Sequence, residues 1–275
     1  MTEADDRLGP SVAVLLAAGT GSRLRPTTYA VPKELFPLGR RTIMDYIVDD
    51  LIAGGYTHVV VVTSQGKPAI ARYLEAHLMP ACEARGTQVS TVLQQWPGTG
   101  GAVVSALETL PPSEMLVVWG DEVFWPPTRA LEVTKHFAAS GVTTIATTTV
   151  DDEAVPRCGI VEWIGKPAAP GGSGRITKLH EKPDPLKVKS RSASVGGQLL
   201  SIEFSQYLRF SVAAQLRAGA KEASLALALG DFLGNGGAVD GVALRCAWLD
   251  TGSWDGYSRA FAQAEKQWSL KEMES

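Results

Sequence analysis

The segment LAAGTGSRLRPTTYAVPK, residues 16–33, sets two glycines, two arginines and a lysine directly behind a run of apolar residues. Gly19 and Gly21 allow a tight backbone turn and close approach to a ligand, and Arg23, Arg25 and Lys33 place positive charge where an anion could sit. Two carboxylates stand at comparable positions further on: Asp121 follows the apolar run 115–119 and Gly120, and Asp250 follows 247–249. Each falls at the carboxyl end of an expected strand, where it either serves chemistry or caps the next helix. His58, His77, His136 and His180 are scattered, and no serine or cysteine sits in a nucleophile-elbow or triad-like context, so no covalent nucleophile is indicated. The glycine segment does not complete a dinucleotide fingerprint, because Leu24 stands where the third glycine belongs, and neither Gly66–Lys67 nor Gly165–Lys166 lies in a Walker A frame. Oxidoreductase and P-loop readings therefore lose weight. What remains is a strand ending in a glycine turn, then a long loop that Pro26 and Pro32 are expected to keep extended until Lys33.

Short β-branched runs and helical patterns alternate around these residues. Runs 12–18, 58–63, 88–94, 115–120 and 142–150 read as strands, and 42–53, 68–84, 101–110 and 128–140 carry apolar residues at helical spacing. Strand, helix and strand at this interval imply βαβ units with right-handed crossovers, with ligands bound at the carboxyl ends of the strands. The second half reads differently. Runs 159–163 and 175–180 look like an antiparallel pair joined by a loose GKPAAPGGSG loop, whose part 167–174 is taken for a mobile tip. Strands are expected at 194–202 and 240–248, and helices at 222–233 and 254–270. The fold class expected is α/β: a doubly wound mixed sheet, mostly parallel, with an antiparallel subregion and no internal repeat.

Composition narrows the partners. With 275 residues, 45% apolar and 20% charged, the chain can bury a sizeable core, and a net charge of −3 gives no whole-chain attraction to nucleic acid or anionic membrane. Cys82, Cys158 and Cys246 are odd in number, far apart and without a CxxC pair, which points to reduced thiols in a cytoplasm and small buried side chains rather than a disulfide frame or zinc site. No apolar run approaches the ~20 residues of a membrane span, and the acidic start is unlike a secretory signal. Residues 1–10 read as a disordered lead-in.

LAAGTGSRLRPTTYAVPKELFPLG resembles, along its full length, the signature GxGxRLxPxTxxxPKxLxPL of the sugar-1-phosphate nucleotidyltransferases. The resemblance continues through VVVVTSQGKPAI (59–70), QQWPGTGGAV (94–103), VVWGDEVF (117–124), CGIVEW and GRITKLHEKP (158–183), SVGGQLLS (194–201) and WLDTGSWDGYSRA (248–260), and so covers nearly the whole chain. PKE, TSQGK and the DTGSxxGY ending are most similar to the UTP:glucose-1-phosphate uridylyltransferase branch. The resemblance implies a Rossmann-like domain over 11–275 with a sugar-binding subregion at about 151–247. It also implies in-line attack of a sugar-1-phosphate oxygen on the α-phosphorus of a nucleoside triphosphate, UTP by preference, with glucose 1-phosphate as the default acceptor. Such chemistry consists of holding two polyanions in line and neutralising developing charge.

Carried over position by position, the resemblance gives Ala18, Gly19, Thr20, Gly21 and Gly120 nucleotide contacts, Arg23 the triphosphate and Lys33 the reacting phosphate. Gln94 reads the base edge beside Gly98, with Gln95 as its rival. Trp96 either stacks near the base or packs on the domain edge, the latter favoured, and Arg25 is read as a surface charge. Gly159 and Gly197 face the sugar, Glu181 accepts from sugar hydroxyls and Lys182 binds the sugar's phosphate. Asp121 and Asp250 hold Mg2+, whose hard-oxygen preference they suit; Glu122 is adjacent and a candidate to substitute or assist, although the next residue along an extended chain points away. Cys158 replaces the family's aromatic residue, and Gly39–Arg41 replaces a more usual acidic-Lys-Pro turn. Thymidylyl, guanylyl or cytidylyl transfer to another sugar, and a catalytically silent regulatory homologue, stand as alternatives. Tyr257, Phe261 and Trp268 on the last helix are read either as a homo-oligomer surface or as core packing.

Overall fold

The computed structural model describes residues 10–273, with side chains as far as Lys266 on the last helix. The expected lead-in 1–10 lies, Pro10 apart, outside the described residues, as does the side chain of Trp268. The first half runs β1 (Val12–Leu16), the short hairpin β2 (Pro37–Leu38) and β3 (Arg41–Thr42), α1 (Ile43–Ala53), β4 (His58–Thr63), α2 (Pro68–Tyr73), α3 (Met79–Glu83), β5 (Gln88–Leu93), α4 (Gly98–Leu107), β6 (Met115–Trp119), β7 (Glu122–Trp125), α5 (Arg129–Ser140) and β8 (Thr143–Thr149). A π turn, Leu74–Leu78, joins α2 to α3, so the expected helix 68–84 is continuous. The second half adds β9 (Gly159–Trp163), β10 (Ser173–Glu181), β11 (Ser192–Leu200), α6 (Ile202–Arg217), α7 (Leu225–Gly234), β12 (Val239–Ala243), β13 (Ala247–Asp250) and α8 (Trp254–Met273).

A nine-stranded sheet in the order β5-β4-β1-β6-β11-β8-β12-β10-β9 forms the centre. From β5 to β6 all pairings are parallel. β11 enters antiparallel between β6 and β8, and β9–β10 form the expected antiparallel pair. Alternation along the strands divides the core: Ala13, Leu15, Val59, Val61, Leu116 and Val118 face one cluster with α1 and α5. Val14, Val60, Val62, Met115 and Val117 face the other with α4, α6 and α7. A strand buried on both faces reads as a near-continuous apolar run, which is why the run 59–62 shows no polar alternation.

Three expectations need correction. The run 240–248 is two strands in different sheets: β12 pairs with β8, the chain turns at Leu244–Cys246, and β13 pairs with β7. The tip 167–174 is tied down, since Gly171 N donates to Ala243 O and Ala243 N to Gly172 O (2.9 Å). Helix α6 was not expected. Its buried face is Phe204, Ser205, Leu208, Ser211 and Val212, and two serines in that stripe weaken the apolar periodicity. Its signal was Ser201, whose side chain caps the helix by accepting from Phe204 N. On α8, Tyr257 packs edge-on against Phe36 at 5.5 Å and donates to Pro37 O, and Phe261 packs against the same core.

Candidate active site

A cleft of about 890 Å³ opens at the carboxyl ends of the strands, and its wall includes Arg23, Asp121, Gly159, Glu181, Lys182 and Asp250. Six residues expected to act together from five separate motifs thus border one space.

Its charged centre is built by two pairings far apart in sequence. β13 lies antiparallel on β7, setting Asp250 opposite Glu122, and both the N–H and the hydroxyl of Thr251 donate to Asp121 O at 2.8 Å. Lys33 Nζ donates to Asp121 Oδ2 at 2.5 Å, and Arg23 Nη2 stands 4.0 Å from the same oxygen. Gly252 N donates to Asp250 Oδ1 at 2.9 Å. A methyl group on Gly252 would come within 2.7 Å of Arg23 Nη2, 2.7 Å of Asp121 Oδ2 and 3.0 Å of Asp250 Oδ1. One guanidinium and two carboxylate oxygens therefore surround a point that only a glycine leaves open. Among the described residues no three His, Cys, Asp or Glu side chains cluster as a metal cage. Two hard carboxylates on the cleft wall suit a divalent cation that completes its shell with water and other oxygen ligands. Burial lowers the pKa of Lys33, but Asp121 and Glu34 outweigh it and hold the ammonium above its ordinary value.

Glu122 does not point away. Asp121 sits in the turn before β7, where strand alternation does not apply, and Glu122 lines the cleft too, accepting from Gly196 N at 2.5 Å. Burial and the Asp121 and Asp250 carboxylates push its acid up to about 8.

The loop after β1 is compact rather than extended. Three single 3-10 turns, Ser22–Leu24, Thr27–Tyr29 and Lys33–Leu35, coil it, with Pro26 in helical rather than extended geometry. Gly21 adopts φ 64°, and any side chain there would strike Thr28, whose hydroxyl donates to Gly21 O. Gly19 faces Lys33 Nζ, while Thr20 is exposed. Arg25 leaves the site and lies over the Tyr29 ring at 5.0 Å. Gly120 is buried against Leu16 O and Glu34, so it sets the approach of Asp121 and is not in the cleft wall.

Across the cleft, Gly159 pairs with Glu181 on one flank and with Ser194 on the other, which lines up β9, β10 and β11. Lys182 has φ 47°, a left-handed conformation costly for a lysine, and its N–H donates to Cys158 O. Its ammonium lies 3.4 Å from Glu181 Oε1 and is mostly solvated. Cys158 borders the cleft, and burial and Glu122 push its thiol up to about 11. Gly197 is a correction: it is buried in the irregular stretch of β11 between Ser194 and Gln198, against Ala146 and Arg129, away from the cleft wall. Ser194 and Gln198 border the cleft instead, joined by Gln198 Nε2 to Ser194 Oγ at 3.2 Å, and Gln198 Oε1 is buried without a partner.

After β5, Gln94 Nε2 donates to Trp96 O at 2.7 Å and Gly98 O at 3.1 Å, which leaves its Oε1 as the remaining polar atom. Gln95 is exposed and donates weakly to Leu93 O. Gly98, at φ 88°, packs directly on Ala223, so the 222–225 segment closes over the start of α4, where Thr99 and Ser224 border the cleft. Trp96 packs on the edge, donating to Glu108, and does not border the cleft.

Residues without an assigned role also support the site. Glu34 and Lys67 form a buried ion pair beneath the loop, and Arg129 bridges Asp50 to Gly196 O. The first two stand in the PKE and TSQGK motifs; no sequence signal marked Arg129.

The family model described as "Nucleotidyl transferase" matches residues 12–267. UTP–glucose-1-phosphate uridylyltransferase of Escherichia coli K12 is 28% identical over 215 residues, covering 70% of each chain. The Staphylococcus haemolyticus enzyme of the same name is 26% identical over 214 residues, 71% of this chain and 73% of its own. In fold, a UDP-glucose pyrophosphorylase solved with UDP-glucose matches with a TM-score of 0.81 at 20% identity, over 94% of this chain and 99% of that one. A UTP-bound UGPase from Acinetobacter baumannii matches at 0.78 and 23%, over 92% and 93%.

Proposed function

Because the chain belongs to the nucleotidyl transferase family, we propose that it transfers the uridylyl group of UTP to glucose 1-phosphate, giving UDP-glucose and pyrophosphate. The observation that carries this reading is the convergence of Arg23, Asp121 and Asp250 on Gly252, with Lys33 on Asp121, in a cleft whose far wall holds Glu181 and Lys182.

The sugar phosphate oxygen attacks the α-phosphorus and pyrophosphate leaves opposite, so no protein nucleophile is required. Lys33 stabilises the charge that develops at the reacting phosphate, moving between Asp121 and phosphate oxygen. Arg23 holds the triphosphate from the solvent side, and the Ala18–Gly21 backbone approaches it. Lys182 fixes the sugar's phosphate and Glu181 accepts from its hydroxyls, beside Gly159. Gln94 Oε1 accepts from the uracil N3–H, and Nε2 keeps the Trp96–Gly98 turn in place. A divalent cation held by Asp121 and Asp250 would supply charge that draws both phosphates together. Residues 11–275 act as a single domain, a reading supported by one sheet that runs through both halves, with the sugar bound mainly by 151–247. A reducing, cytoplasmic setting suits three free cysteines, and no described helix is long and apolar enough to cross a membrane.

A grid of nucleoside triphosphates against sugar 1-phosphates, scored by magnesium-dependent pyrophosphate release, tests the reading. UTP with glucose 1-phosphate is expected to lead, with dTTP second. A preference for GTP or ATP would overturn the base assignment, and silence from every pair would overturn the reaction class.

A further inference from the structure

Glu34 and Lys67 form an ion pair that phosphate chemistry does not use. Glu34 is fully buried, and Lys67 Nζ donates to both its oxygens at 2.9 and 2.8 Å and to Ala17 O at 2.8 Å. An ammonium has three protons, and all three are taken inside the protein, so Lys67 is not free to hold a phosphate. Its surroundings are specific. Ala17 leads into the glycine loop, and Glu34 directly follows Lys33 in the same 3-10 turn. Glu34 Cγ lies 2.9 Å from where a side chain on Gly120 would begin, and Gly120 N donates to Leu16 O. Three turns, bearing the glycines, Lys33 and Asp121, therefore meet around one pair supplied in part by the loop after β4.

Burial opposes both charges, raising the pKa of Glu34 and lowering that of Lys67. A buried ion pair adds little or no net stability over apolar residues of similar volume, whereas removal of one partner is strongly destabilising. Stability alone is thus a poor reason for its presence, and directional hydrogen bonds to fixed atoms supply a better one. We propose that Lys67 and Glu34 are positioning residues that hold the glycine loop, the Lys33 turn and the Asp121 turn in register for nucleotidyl transfer.

This inference rests on the uridylyltransfer reading, and its test separates the two. Glu34→Leu, Lys67→Met and the double variant are compared with wild type by thermal unfolding, by steady-state kinetics and by calorimetric UTP binding. Each single variant is expected to unfold at lower temperature, and the double variant to return close to wild type. Activity does not return with it. In the double variant kcat stays down by about 100-fold, the scale of a 1 Å misplacement. UTP affinity stays weakened, and KM for glucose 1-phosphate is little changed. Lys67→Arg, which keeps a charge able to reach Glu34 and Ala17 O, retains most of kcat. A double variant with wild-type stability, kcat and UTP affinity would overturn the inference. If the double variant does not fold, Lys67→Met held below its unfolding temperature decides: unchanged UTP affinity overturns the inference, weakened affinity supports it. Absence of turnover in wild type sinks the uridylyltransfer reading alone, and UTP binding by the variants still decides the role of the pair.

Discussion

Replacing Lys33 by methionine removes a charge while keeping an unbranched side chain of similar length. Lys33 Nζ is 2.5 Å from Asp121 Oδ2, with side chains 13% and 11% exposed, so the contact is largely screened from water. Two unit charges ~4 Å apart at an effective dielectric of 20 attract by about 4 kcal/mol. Stripping a buried carboxylate of its sole partner costs about 3–5 kcal/mol. Asp121 keeps a second cation, Arg23, at 4.0 Å. The loss of stability should therefore be nearer 1–2 kcal/mol, or about 2–8 °C in Tm for a chain of this size. The rate should suffer more. Loss of one preorganised donor at developing charge costs about 10²–10³ in kcat, roughly 3–4 kcal/mol of barrier. Pyrophosphate release from UTP and glucose 1-phosphate at saturating magnesium gives kcat, and calorimetric melting gives Tm. A variant with kcat within about 10-fold of wild type and the expected fall in Tm would show that Lys33 serves only to neutralise Asp121, refuting the reasoning.

Asp121→Asn and Asp250→Asn should each abolish turnover while leaving circular dichroism unchanged, since neither removes apolar packing; near-wild-type release at saturating magnesium in either would remove that residue from the proposed metal-binding pair. Gly252→Ala brings a methyl within 2.7 Å of Asp121 Oδ2 and Arg23 Nη2, so turnover should fall by about 100-fold with little change in Tm. Arg23→Ala should raise KM for UTP and Lys182→Ala that for glucose 1-phosphate; equal effects on both substrates from both variants would deny separate half-sites. Lys182→Gly relieves the left-handed backbone at φ 47°, so it should lose activity yet melt no lower than wild type, a comparison read directly from Tm.

Much of the fold was legible because its signals are local. The apolar runs of β1, β4 and β6 are covered on both faces and need no partner to be recognised as strands, and α1 carries apolar residues at helical spacing. Helix α6 was not legible, because Ser205 and Ser211 occupy part of its buried stripe. The break at Leu244–Cys246 was hidden because either β8 or β7 can receive an apolar strand, and the choice belongs to the neighbours.

For the site, the sequence by itself determined which chemistry was available: a glycine turn with Arg23 and Lys33 beyond it, carboxylates after apolar strands, and a Glu–Lys pair at 181–182. Only the tertiary structure decided which of these meet. Asp250 reaches Asp121 through the β7–β13 pairing, Lys33 reaches it across the glycine loop, and Lys67 joins Glu34 beneath both. It also packed Gly197 against Arg129, away from the cleft wall where the family resemblance put it, and turned Glu122 toward the cleft, reversing for Glu122 what alternation along a strand implied. The physical reason is range: propensity, capping and turn preference act over a few residues. The direction of a side chain in an irregular stretch, and the partner of a buried charge, are fixed by packing between segments far apart in the chain.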